Sequence, residues 1–159
     1  MKALRNIGLI VVVLCALTVG SAYAGTTTNE KTPLEMWVWV SCANGGNGEL
    51  VRLTGELHVL FLVTFDQDGG LHIASHFQPM GVTGYGEVTG DKYQATGVTR
   101  DNQNFRPAGY PYEYTYVNNF RIIGQGTGNN FLVHQTYHIT VNANGELTTQ
   151  VDNFRTECK

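Results

Sequence analysis

The chain has 159 residues, of which 42% are hydrophobic, 11% aromatic and only 14% charged. This length predicts a single domain, and many aromatic residues combined with few charges exclude a disordered chain. The formal net charge of −3 gives no electrostatic basis for binding nucleic acid or an anionic membrane.

The first 24 residues have the three regions of a secretory signal peptide. Lys2 and Arg5 precede an uncharged, mostly apolar run over residues 7–20, and an Ala-x-Ala pattern follows it at residues 22–24. We predict cleavage after Ala24. The apolar run is shorter than the roughly 20 residues that a membrane helix needs, so no membrane span is expected after processing. The mature chain would have 135 residues and a net charge of −5, and would be secreted or periplasmic.

The cysteines predict one disulfide. The chain has three, and Cys15 would leave with the signal peptide. In an oxidising compartment, the remaining pair, Cys42 and Cys158, is expected to form a bond that joins the start of the domain to its end.

After a polar segment over residues 25–33, interpreted as a flexible leader, residues 34–159 form a single β-domain. Apolar and polar residues alternate with the period of a strand, and clusters of glycine and asparagine separate these segments. No segment of ten residues carries a helical apolar stripe. The predicted strands, about eight in number, cover residues 36–42, 50–65, 71–78, 81–90, 92–100, 110–123, 131–141 and 147–157.

Short connections between consecutive strands indicate an all-β antiparallel meander. Eight such strands can close into an up-and-down barrel, which resembles a lipocalin in outline. The predicted Cys42–Cys158 bond would bring the first and last strands together, as closure requires. A two-sheet β-sandwich is the alternative, because it would show the same strand signals.

The alternation also assigns faces, and the last three strands give the candidate ligand site. A barrel interior with apolar walls and a few polar groups can hold a small molecule, and Arg155 could bind a ligand carboxylate there. Alternatively, the tyrosines fill the core and Arg155 pairs with Glu157. The predicted inward-facing candidates are Tyr112, Tyr114, Tyr116, Asn118, Gln135, Tyr137, Asn153 and Arg155.

The same face assignment argues against a metal site. All five histidines are predicted to lie on the solvent face of the sheet. His134 and His138 are four residues apart, which on a strand is about 13 Å, too far for one ion to bridge. No catalytic motif and no cofactor fingerprint is present in the sequence. We therefore expect no metal and no cofactor.

Several segments resemble a set of uncharacterised exported bacterial β-proteins, for which no activity is known. The resemblance covers roughly the second half of the mature chain. Its motifs are VNNFRIIG at 117–124, GNNFLVH at 128–134, VNANGE at 141–146 and VDNF at 151–154, followed by Cys158. It implies no functional residue.

Three functions follow from these observations. The first is a barrel that binds a small apolar or amphipathic molecule in its lumen. The second is a structural or interaction protein of the cell envelope or exterior, which the apolar outward positions Leu60 and Leu62 would favour. The third is a cofactor-free enzyme of the isomerase or cyclase type. It has the least support, because no inward Glu or Asp is predicted beside the tyrosines.

Overall fold

The computed structural model describes residues 25–125 and 129–159. Within these ranges the chain forms one antiparallel sheet of seven strands, in which each strand pairs with its neighbours in sequence. The predicted signal peptide lies outside the described residues, and within them no helix is long and apolar enough to cross a membrane. The strands are β1 (Thr26–Val40), β2 (Glu49–Phe65), β3 (Leu71–Gly86), β4 (Lys92–Phe105), β5 (Tyr112–Gly124), β6 (Phe131–Val141) and β7 (Leu147–Cys158).

The all-β meander is confirmed, with two differences in its strands. Two predicted strands are a single strand, β3, because a bulge between Phe77 and Thr83 lets the backbone bend without leaving the sheet. The segment over residues 25–33, predicted as a flexible leader, is strand from Thr26 onward, and it pairs with the second half of β2. All strands in the described ranges belong to one sheet, so these residues do not form a two-sheet sandwich.

The hydrophobic core lies at one end of this sheet, which we call the disulfide end. Residues that are directly opposite in an antiparallel pair share a face, so the strand register defines an inner face that contains the core and an outer face. The core side chains come from the C-terminal ends of β1, β3 and β5, from the N-terminal ends of β2, β4 and β6, and from the segment that follows β1. They are Val40, Cys42, Ala43, Val51, Leu53, Val82, Tyr93, Ala95, Ile122 and Phe131.

The predicted Cys42–Cys158 disulfide is confirmed, and it shows that the sheet curls. The two Cα atoms are 5.6 Å apart. In a flat sheet, six strand spacings would place β1 and β7 about 29 Å apart. Cys42 follows the end of β1 by only two residues, and Cys158 is the last residue of β7. The sheet must therefore bend around its inner face, which makes that face concave.

The opposite end of the sheet, the open end, is exposed to solvent. The first eight residues of β1 are exposed, and in β7 only Glu157 is partly buried. Phe154 lies on the inner face of β7 and still has 64% of its surface exposed. Strands β1 and β7 are not neighbours in the sheet order. Closure into a barrel stays a prediction.

A buried carboxylate fastens the β3–β4 turn to the core. Glu49, at the start of β2, has no solvent-exposed surface. Its oxygens accept hydrogen bonds from the backbone N–H groups of Val88 (3.1 Å) and Thr89 (3.0 Å), from the Thr89 hydroxyl (2.8 Å) and from the Tyr93 hydroxyl (3.1 Å). Four donors compensate the cost of burying the charge. Burial and the bond to Glu49 raise the pKa of Tyr93 to about 12.

Candidate functional site

The concave inner face forms a trough with a small pocket at its centre. The pocket has a volume of about 270 Å³ and draws side chains from five strands, β1 to β5. This volume lies just below the range of about 300–1,000 Å³ that is usual for small-molecule sites. Six of the eight lining residues are apolar, and two are polar. The lining residues are Leu34, Met36, Leu57, Phe77, Pro79, Thr99, Asn118 and Phe120.

Four tyrosines continue this surface toward the open end. The register places Tyr112, Tyr114 and Tyr116 on the inner face of β5, and Tyr137 opposite Tyr116 on β6. All four are half-buried, and the rings of Tyr114 and Tyr137 are 6.1 Å apart between centroids. We call this set the tyrosine wall. The sequence alternation placed all four on the same face, and the register agrees with it.

Two of the three predicted amide residues also lie on the inner face, beside the tyrosine wall. Asn118 and Gln135 are directly opposite each other on β5 and β6. The Asn118 side-chain oxygen accepts a hydrogen bond of 3.0 Å from the Thr99 hydroxyl on β4. Because Asn118 also lines the pocket, it connects the apolar part of the trough with the tyrosine wall.

The predicted positions of Asn153 and Arg155 in the site are wrong. The register shifts by one residue in the β6–β7 hairpin, between Thr140 and Val141. A shift of one residue moves every following side chain to the other face. Asn153 and Arg155 therefore lie on the outer face, opposite Thr136 and His134, and Arg155 pairs with Glu157 at 2.8 Å.

An acidic residue that the sequence analysis missed lies beside the tyrosines. Asp101 is directly opposite Tyr116 on the inner face, and the Ser75 hydroxyl donates a hydrogen bond of 3.3 Å to it. The sequence analysis ended this strand at Arg100, whereas β4 continues to Phe105. Extending the alternation Tyr93, Ala95, Gly97, Thr99 by one more step would have found Asp101. The expectation that no inward Asp neighbours the tyrosines is thus wrong.

The environment of Tyr112, Tyr114 and Tyr116 keeps their hydroxyl groups protonated. Partial burial, and next the carboxylate of Asp101, raises the pKa of Tyr112, Tyr114 and Tyr116 above the ordinary value of 10.0. A tyrosine with a raised pKa does not act as a base at neutral pH. These side chains can therefore donate hydrogen bonds and offer aromatic faces, which suits binding better than proton abstraction.

The five histidines lie on the outer face, and four of them bond to polar side chains. His58 contacts Asn29 (2.6 Å), His72 contacts Asn104 (2.8 Å), His134 contacts Asn119 (2.9 Å) and His138 contacts Thr115 (2.8 Å). Within residues 25–125 and 129–159, no three His, Cys, Asp or Glu side chains are grouped so that they could hold a metal ion.

The outer face also carries exposed aromatic side chains near the disulfide end. Trp37 and Trp39, both on β1, are 52% and 57% exposed, and Tyr85 on β3 is 58% exposed. The Arg52 guanidinium lies 5.5 Å from the centre of the Trp37 ring and is held there by Glu35. The alternation of β1 places both tryptophans on the same face as Glu35, so their outward position could have been predicted.

No protein-family model matches this chain, and neither a search of curated proteins nor one of solved structures found a match.

Proposed function

We propose that the protein binds a small amphipathic molecule in the trough. The observation that supports this most directly is the pocket of about 270 Å³, whose apolar lining continues into the tyrosine wall. An apolar part of the ligand would occupy the pocket, since burying its surface there is favourable. Its polar part would then reach the tyrosine hydroxyls and the Asn118 and Gln135 amides. Because the pocket is small, only part of the ligand would be enclosed.

A neutral apolar dye tests this proposal. We expect the fluorescence of N-phenyl-naphthylamine to rise saturably, with one dye per chain, as it enters the pocket. Leu34 lines the pocket, whereas Glu35 is the next residue and lies on the outer face. Leu34→Trp should fill the pocket and weaken binding by about tenfold or more, as expected when a buried contact area is lost.

The matched control is Glu35→Trp, which adds the same side chain to the other face and should leave dye binding unchanged. Circular dichroism would verify that both variants fold. Dye binding that does not saturate, or that Leu34→Trp leaves intact, would show that the pocket is not a ligand site.

The location we propose is outside the cytoplasm, in the periplasm or the extracellular medium. The Cys42–Cys158 disulfide supports this, because such bonds persist mainly in oxidising compartments. The sequence pattern of residues 1–24 supports it independently. Mass spectrometry of the natural protein should find Gly25 at its N-terminus, and an intact Met1 would refute cleavage after Ala24.

A further inference from the structure

Among the residues that the structure describes, the inner face of the sheet has acidic side chains and no basic ones. Arg155 was the expected inward cation, and the register moves it to the outer face. Among the described strand residues, no Lys, Arg or His occupies an inner position. The charged residues that do are Glu30, Glu49, Asp101 and Asp152. Glu49 is enclosed in the core and bonded to the β3–β4 turn, so it is not accessible to a ligand.

Two of these carboxylates flank two tyrosines in one line across the sheet. Asp101, Tyr116, Tyr137 and Asp152 are directly opposite one another on β4, β5, β6 and β7. Three strand spacings separate the two aspartates, which is about 14 Å between their backbones. We call these four residues the aspartate–tyrosine row. It lies immediately beyond Asn118 and Thr99, which line the pocket.

Asp101 is available to a ligand. Its hydrogen-bond partner is the neutral Ser75 hydroxyl, at 3.3 Å, and it makes no ion pair within the described part of the chain. It is half-buried, so water screens its charge less than on an open surface. A carboxylate in this position would attract the cationic group of a ligand that enters the trough.

The tyrosine rings also favour a cationic ligand. The face of an aromatic ring attracts a cation, and sites that recognise ammonium groups combine several rings around one charge. An anionic ligand would meet the rings and two carboxylates with no basic group to compensate. A neutral ligand would gain from neither feature.

We propose that the aspartate–tyrosine row binds the ammonium group of an amphipathic amine whose apolar part occupies the pocket. The inference rests on the proposed function, because it assumes that the trough is the ligand site. It specifies the class of ligand, a cationic amine with an aromatic or aliphatic body, and it assigns the charge recognition to Asp101.

Three probes with one apolar body test the charge preference. Phenylbutylamine, phenylbutanol and phenylbutyrate differ only in the group at the end of the chain, and titration calorimetry at neutral pH gives the affinity of each. We expect the amine to bind about tenfold more tightly than the alcohol, as one ionic or cation–π contact provides, and the acid to bind most weakly. The preference for the amine should also decrease with added salt.

Two variants test whether Asp101 recognises the ammonium group. Asp101→Asn keeps the hydrogen bond from Ser75 and removes the charge, so the preference for the amine over the alcohol should fall to the part that the tyrosine rings and Asp152 provide, while the affinity for the alcohol stays the same. Asp68→Asn removes an exposed carboxylate in the β2–β3 turn, outside the trough, and should change neither affinity.

The possible results separate the two proposals. If the alcohol binds as tightly as the amine in the wild-type protein, the inference about charge is refuted and the trough remains a ligand site. If none of the three probes binds and the neutral dye does not bind either, the proposed function fails and the inference fails with it. If Asp101→Asn keeps the full preference for the amine, the assignment to Asp101 is wrong.

Discussion

The buried Glu49 carboxylate allows a quantitative prediction about stability. Glu49→Gln keeps the size of the side chain but replaces one oxygen, an acceptor, by an NH₂ group. The donors that now bond to the carboxylate are the Val88 and Thr89 backbone N–H groups and the Thr89 and Tyr93 hydroxyls. At least two of them lose their acceptor. Each unsatisfied buried donor costs about 1–3 kcal/mol, so the free energy of unfolding should fall by about 2–6 kcal/mol.

The same substitution should alter the pH dependence of stability. Burial alone would raise the pKa of Glu49, but the hydrogen bonds from Thr89, Val88 and Tyr93 together outweigh it, and the net pKa is lowered from 4.5. The folded state therefore binds a proton less readily than the unfolded chain. The stabilisation is fully present above pH 4.5 and is lost as the pH falls through the lower, folded-state pKa. Glu49→Gln should lack this loss.

Urea denaturation at neutral pH and at a series of acidic pH values measures both effects. The matched control is Glu87→Gln, because Glu87 is exposed in the turn that Glu49 anchors. The reasoning is refuted if Glu49→Gln destabilises the protein no more than Glu87→Gln does. It is also refuted if the variant and the wild type lose stability equally in acid.

Three further predictions test the fold. Replacing both cysteines, Cys42→Ser with Cys158→Ser, should lower the free energy of unfolding by about 4–5 kcal/mol, because the bond closes a loop of 116 residues in the unfolded chain; an unchanged denaturation midpoint would contradict this. Gly97→Ala should cost about 1–3 kcal/mol in urea denaturation, since φ is +121° there and the added methyl group would overlap the Asn119 carbonyl oxygen. The only two tryptophans lie on the outer face, so acrylamide should quench their fluorescence readily and a ligand in the trough should leave it unchanged.

The alternation of residues was sufficient to predict most of the inner face, because a strand with one buried face must keep its period of two. Tyr112 to Tyr116 and Tyr137 follow from it directly, and the disulfide follows from the count of cysteines. The positions of Asn153 and Arg155 could not be predicted in this way. A bulge in a hairpin adds one residue to one strand, and the apolar pattern of the exposed strand β7 is too weak to reveal the shift.

The inward position of Asp101 was also missed, because residue types alone did not reveal where β4 ends. The polar residues 101–104 resemble a loop, yet they pair with β3 and β5 on both sides. Strand pairing satisfied their backbone groups, and this tertiary context outweighed the low strand propensity of Asp and Asn. The predicted ligand site contained one arginine, whereas the observed inner face carries two aspartates beside the tyrosines. One misplaced strand boundary and one bulge account for this difference in charge.

The two edge strands, β1 and β7, also have a consequence for aggregation, because each pairs with only one neighbour in the sheet. Each outer edge of β1 and β7 presents backbone N–H and C=O groups that could pair with another chain and start aggregation. Pro33 has no backbone N–H and so removes one hydrogen-bond donor from β1, and Lys31 places a charge on the same strand. Arg155 and Glu157 place opposite charges on β7. These four side chains disfavour the addition of a strand from another chain at either edge.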